Sequence, residues 1–198
     1  MRQTRLKLLI AYSTVAQLGY LFLAFPLGVA NATAWHGALY LALSHALAKA
    51  AMFLAAGNIF LFGGHDRITD LDRVAQRLPL SCSAFALGGV SIIGLPPSSG
   101  FIGKWLLLES AVMQAQWYWA WVIIVGSLLA AAYIFKVVGH AFTQAQTAHE
   151  AQAVPAIMEW AALLLAIGSM LLGLLATGLL ALFEVGDPFN ILSNATLS

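Results

Sequence analysis

Residues 34–62 read AWHGALYLALSHALAKAAMFLAAGNIFLF, an apolar run closed by Gly63 and Gly64. It exceeds the ~20 mostly apolar residues that a helix needs to cross a bilayer, and its only formal charge is Lys49. Similar runs cover 6–26, which ends at Pro26, and 118–141 and 155–183. Another begins at Pro79 and reaches about residue 115, too long for one simple span. Gly94-Leu-Pro-Pro-Ser-Ser-Gly100 interrupts it and divides it into 79–94 and 101–115. Two prolines withhold backbone donors and the glycines let the chain leave helical geometry. The pattern predicts an all-α integral membrane protein, one membrane domain over 1–198, with about five transmembrane helices, the third broken at Gly94–Gly100.

Composition points the same way. Hydrophobic residues make up 61% of the 198 positions and charged residues 9%, against roughly 25% charged in a soluble domain. A soluble fold would have to expose Leu, Ala and Phe, and would aggregate. A net charge of +1 without a basic stretch gives no footprint for nucleic acid. Cys82 is the only cysteine, so neither a disulfide nor a cysteine metal site is expected. The charged N-terminus has no small-residue cleavage site, and Tyr12, Ser13, Thr14 and Gln17 interrupt the apolar run behind it. It reads as a membrane segment that stays, not a signal peptide.

Lysines and arginines set the expected orientation. Arg2, Arg5, Lys7, Arg67, Arg73, Arg77 and Lys136 fall at one set of segment ends, while 27–33, 115–117 and the C-terminal tail hold none. By the positive-inside rule the N-terminus is expected on the cytoplasmic side and the C-terminus on the far side; the membrane is expected to be a bacterial inner membrane. Asp66, Asp70 and Asp72 contribute little to that rule. Trp117, Tyr118, Trp119 and Trp121 suit an aromatic belt at the far interface.

Two lysines remain inside apolar segments, Lys49 and Lys104. Each costs about 2.5–3.5 kcal/mol at mid-membrane and belongs in a bundle interior or on a hydrated path. His45 and Lys49 are four apart and share a helix face. A histidine titrates near neutrality and burial disfavours a charged lysine, so the pair suits proton transfer along the helix. The plainer reading is a structural polar pair. Lys104 follows the break, where broken helices survive only if buried or lining a cavity. The first turn of the second half-helix disfavours an ammonium, so Lys104 is suited to losing and regaining a proton. Against this stands a kink whose lysine pairs with Glu109, although five residues is a poor spacing for it.

Weaker candidates are Lys7 with the N-terminal anchors, and Lys136 with His140 at the end of the fourth segment, as an interface anchor or a proton entry. His36 and His65 read as solvated and Glu159 as interfacial. Asn194-Ala-Thr196 matches a glycosylation sequon on three residues only. No glycine-rich phosphate loop or metal-ligand spacing is present, and no cofactor is expected; His45 and His140 as haem ligands find no other support.

The stretch Lys7-Leu-Leu-Ile-Ala-Tyr-Ser-Thr-Val-Ala-Gln-Leu-Gly-Tyr20 resembles a signature of the antiporter-like proton-translocating membrane subunits. These occur in complex I (NADH:quinone oxidoreductase), multisubunit sodium/proton antiporters and membrane-bound hydrogenases. Ser44-His-Ala-Leu-Ala-Lys49-Ala-Ala-Met-Phe-Leu and Gly94-Leu-Pro-Pro-Ser-Ser-Gly-Phe-Ile-Gly-Lys104 are similar to two further motifs of that family, in the same order. The resemblance covers roughly 5–145; Leu8 departs from its usual arginine. It implies a relay through His45, Lys49 and Lys104, a less defined role for Lys7, and proton translocation, with sodium/proton exchange as a variant. Implied partners are other membrane subunits, including an N-terminal half of the same fold, since family members have about fourteen helices and this chain matches the last five. The chain brings no redox centre of its own. Two alternatives stay open: a non-conducting structural subunit, and a small stand-alone homo-oligomeric transporter.

Overall fold

A computed structural model describes residues 3–29, 32–71, 73–143 and 152–185. Among them the chain is helical: α1 (Leu6–Phe22), α2 (Ala24–Leu27), α3 (Thr33–Gly63), α4 (Val74–Arg77), α5 (Pro79–Ile93), α6 (Ser99–Met113), α7 (Trp117–His140), α8 (Ala156–Leu174) and α9 (Ala176–Glu184), with a 3-10 turn at Ile68–Asp70. Four stretches are long and apolar enough to cross a membrane: Leu6–Leu27, Thr33–Gly63, Trp117–His140 and Ala156–Leu174. The fifth crossing is divided between α5 and α6, 15 residues each. At 1.5 Å per residue either half is only ~22 Å long, short of the ~30 Å hydrocarbon core.

The first segment is not one helix to Pro26. Pro26 has no N–H for the Phe22 carbonyl, so α1 stops at Phe22 and α2 restarts after Leu23. The last segment also divides, at Leu175 between α8 and α9, without a proline to announce it.

Backbone pairing gathers the cations at one end of the bundle. Leu6 N–H donates to the Asp66 carbonyl (2.7 Å) and Ile68 N–H to Thr4 (2.9 Å), pairing Arg5 with Arg67 antiparallel. Arg73 N–H donates to Thr143 (2.8 Å) and Ala75 N–H to Ala141 (3.0 Å), tying the same loop to the end of α7. Trp117, Tyr118 and Trp121 are exposed at the other end of α7. Arg2, Asp72 and the Asn194 sequon lie outside the described residues.

Glu159 is not merely interfacial. Its Oε2 accepts from Ser81 N–H and Ser81 Oγ, both at 3.1 Å, in the first turn of α5 where the helix leaves donors unsatisfied. Asn58 Nδ2 donates to the same hydroxyl (2.9 Å) and to the Met158 carbonyl (3.1 Å), so α3, α5 and α8 meet there. Glu159→Ala is expected to cost about 1–2 kcal/mol, since a charge-assisted bond is lost at a half-buried site; a lower melting midpoint of the solubilised protein is the measurement.

Two apolar clusters fill the bundle. One takes Leu6–Ile10 of α1, the Ala48–Ile59 part of α3, much of α5, Ala130–Val137 of α7, and Ala162 and Ala166 of α8. The other takes Tyr20, Leu23, Leu27, Ala34, Leu41, Leu107, Ala111, Ala120 and Ile123. Between them each crossing carries polar residues: Ser13 and Gln17 on α1, Ser44 and His45 on α3, Ser99 and Lys104 on α6, Ser127 on α7 and Ser169 on α8. A polar layer therefore lies halfway along the bundle.

Candidate functional site

That layer is built around the break. Gly94 sits in the left-handed region (φ 84°, ψ 48°) and ends α5, with Leu95 N–H reaching back to Val90 O at 3.1 Å. In an uninterrupted helix the Ile92 and Ile93 carbonyls would accept from the N–H groups of residues 96 and 97. Both positions are proline. The two carbonyls are thus left without helical donors, in the middle of the bundle, where an unsatisfied acceptor costs about 1–3 kcal/mol. Lys104 Nζ supplies the donors, 2.8 Å from Ile92 O and 2.9 Å from Ile93 O, with a third bond to Ser127 Oγ at 3.1 Å. The ring of Tyr20 lies 4.8 Å from the same nitrogen. Lys104 is 5% exposed.

One expectation is corrected here. Ser98 caps α6 by accepting from Phe101 N–H (3.3 Å), so the helix begins at Ser99 and Lys104 falls in its second turn. Its ammonium reaches back onto the C-terminal carbonyls of α5, a negative helix end that favours a cation. Glu109 is not among its partners; it lines a separate surface cleft with Trp105, Leu108, Val112 and Met113.

Lys49 is 7% exposed and bonds across to α1, to the Ile10 carbonyl and to Ser13 Oγ (2.6 Å), while Phe53 lies beside it at 5.8 Å. Ser13 in turn donates to Ile10 O (2.8 Å). One turn along α1, Gln17 Nε2 donates at 3.0 Å to Ile92 O, the carbonyl that also holds Lys104. Ser13, Gln17 and Tyr20, at i, i+4 and i+7, therefore form a stripe running from one buried lysine to the other. His45 and Lys49 share a face but are not hydrogen-bonded; both ring nitrogens of His45 are buried without a partner among the described residues.

The weaker candidates lie apart. Lys7 Nζ stands 4.1 Å over the Phe60 ring near the loop end. Lys136 is exposed one turn before the end of α7, and its carbonyl meets His140 Nδ1 at 2.8 Å. Neither touches the central layer. Among the described residues no three His, Cys, Asp or Glu side chains come together as metal ligands. The α1 stripe was missed as a site, although its spacing was visible; the Ile92 and Ile93 carbonyls follow from the double proline by counting four residues back.

A broken-helix membrane bundle with two buried lysines on neutral oxygens defines the class, a membrane subunit of antiporter-like architecture. Residues 1–130 match the family described as NADH:quinone oxidoreductase/Mrp antiporter, transmembrane, and the chain belongs to that family. It is 37% identical over 180 residues to NADH-quinone oxidoreductase subunit N of Desulforudis audaxviator, across 84% of this chain and 36% of the relative. To subunit L of Pseudomonas aeruginosa it is 33% identical over 182 residues, across 90% and 29%. It thus spans about a third of the length of the curated relatives it matches. Among solved structures, a chain of Thermus thermophilus respiratory complex I superposes with a TM-score of 0.74 at 25% identity, over 91% of this chain and 40% of that one. A chain of the Mrp complex from a Dietzia species shares the fold, with a TM-score of 0.78 at 23% identity, over 90% and 41%.

Proposed function

We propose that this chain moves protons across the membrane as part of an antiporter-like subunit, through His45, Lys49 and Lys104, with its cation-rich end on the cytoplasmic side. The carrying observation is the α1 stripe, which links two buried lysines through Ser13, Gln17 and the Ile92 carbonyl across the bundle. Each lysine exchanges a proton with neighbouring hydroxyls and water, and the unpartnered imidazole of His45 serves as the third station. Ser13 and Gln17 stand one turn apart, ~6 Å, which an intervening water bridges. The relatives are named as subunits of larger oxidoreductases, so the chain works among other membrane subunits, including segments equivalent to the remaining length of those relatives. Redox chemistry elsewhere in the assembly supplies the driving force.

The test is proton uptake into inverted membrane vesicles containing the complete assembly. Lys49→Ala is expected to cut translocation about 100-fold with the assembly intact. Unchanged uptake would make the chain a scaffold. Uptake that persists without sodium fits protons as cargo; a strict sodium requirement would replace this reading with sodium/proton exchange.

A further inference from the structure

Four fully buried serines from four helices bring their hydroxyl oxygens together in a ring beside the break. Ser99 Oγ of α6 donates to Ser44 Oγ of α3 at 2.8 Å, and Ser44 and Ser91 Oγ are 3.0 Å apart. Ser169 Oγ of α8 donates to Ser91 Oγ of α5 at 2.8 Å, and Ser169 and Ser99 Oγ are 3.2 Å apart. Buried hydroxyls in a membrane bundle need such partners, since neither lipid nor the apolar core offers any. Their arrangement carries more than satisfaction. Ser91 lies three residues before the break and Ser99 just after it, and no bond joins them directly. Ser44 bridges them from one side, accepting from Ser99 and sharing a hydrogen bond with Ser91; on the other side Ser169 donates to Ser91, and its 3.2 Å contact with Ser99 closes when the single Ser99 proton turns away from Ser44.

The backbone shows what those bridges hold. Ser91 precedes Ile92, whose carbonyl accepts from both Lys104 and Gln17, and Ser99 begins the helix that carries Lys104. The distance from Lys104 Nζ to the Ile92 and Ile93 carbonyls therefore depends on how the end of α5 sits against the start of α6. We infer that Ser44, Ser91, Ser99 and Ser169 form a doubly bridged clasp across the broken helix, and that they are positioning residues for Lys104. Ser44 also adjoins His45 in α3, so the clasp ties the helix carrying the first two stations to the helix carrying the third. The inference rests on the reading of Lys104 as a station on the ion path.

The ring makes an unequal prediction for four chemically equal substitutions. Ser44→Ala frees the Ser99 proton for Ser169, and Ser169→Ala leaves the Ser44 bridge in place, so each single variant keeps one bridge and translocation per turnover of the assembled complex is expected to stay within about twofold of wild type. Ser91→Ala and Ser99→Ala each cut both bridges with a single lost hydroxyl, and a loss of about tenfold is expected. A role in packing alone would give four similar losses, because all four side chains are buried alike; that result, or four unaffected variants, overturns the clasp. Should Ser91→Ala or Ser99→Ala fail to assemble, the Ser44→Ala/Ser169→Ala double variant removes both bridges with α5 and α6 untouched. It is expected to lose about tenfold where each single loses little, and simple additivity overturns the inference. Lys104→Ala in the same assay separates the two failures. If it leaves translocation intact, the ion-path reading is wrong; if it abolishes translocation while the serine series is flat, only the clasp is.

Discussion

Lys104→Ala is expected to reduce ion translocation by the assembled complex about 100-fold while leaving the amount of assembled protein near wild type. The two halves of that statement come from different balances. Removing the side chain strips donors from the Ile92 and Ile93 carbonyls. Gln17 still serves Ile92, so one buried carbonyl is orphaned, at about 1–3 kcal/mol. Against this, the substitution removes a lysine whose burial at mid-membrane costs about 2.5–3.5 kcal/mol. The terms nearly offset, and the bundle is expected to fold and assemble. The loss then reports the missing ammonium itself. Lys104→Arg keeps the charge, but a planar guanidinium cannot repeat the three-way ammonium geometry and does not release a proton. It is expected to assemble and to remain inactive, which separates proton exchange from the mere presence of a positive charge. Full activity in Lys104→Arg would mean that Lys104 only neutralises the end of α5.

The physical reason this site was partly legible in sequence is that ions in lipid are costly. Lys49 and Lys104 stand out because each is the one formal charge among directly flanking apolar residues, and the break stands out because two prolines and two glycines cannot continue a helix. Helix ends were legible to within a few residues where a glycine or proline marks them, as at Gly63, Pro79 and Gly94. Leu175, which carries no such mark, was not. The direction in which Lys104 points was not legible either. Sequence spacing alone placed it at the positive start of a helix, whereas the Ser98 cap sets the start earlier, at Ser99, and the four-carbon stem carries the nitrogen back to the preceding helix. The serine ring is invisible for a further reason. Its members are spread from residue 44 to residue 169, and each serine by itself is an ordinary residue in a membrane helix; only the packing of α3, α5, α6 and α8 makes them one unit.

That packing depends on glycines used for closeness, and Gly100→Ala tests it with a large expected effect on assembly. A Cβ at residue 100 would lie 1.9 Å from Ser91 O and 2.8 Å from Ser91 C, atoms of the α5 backbone that no rotamer change can move aside. The first turn of α6 has no room to retreat. On its next turn Gly103 abuts the backbone of Leu41 in α3, where a Cβ would come within 2.8 Å of N. From α8, Gly173 lies against the backbone before Ser99, where a Cβ would come within 2.1 Å of Pro97 O. Overpacking typically costs about 1–3 kcal/mol, and a clash with backbone on both sides belongs at the upper end. Gly168→Ala is the matched control, since a Cβ there meets nothing within 4 Å and alanine gains about 1 kcal/mol over glycine in a helix interior. Gly100→Ala is expected to deplete the chain from membranes and to lower the melting midpoint of what remains, with Gly168→Ala at or above wild type. If the two variants behave alike, α5 and α6 do not meet at Ser91 and Gly100. In that case the Ile92 and Ile93 carbonyls do not face Lys104, and the ion path has to be sought along another face of the break.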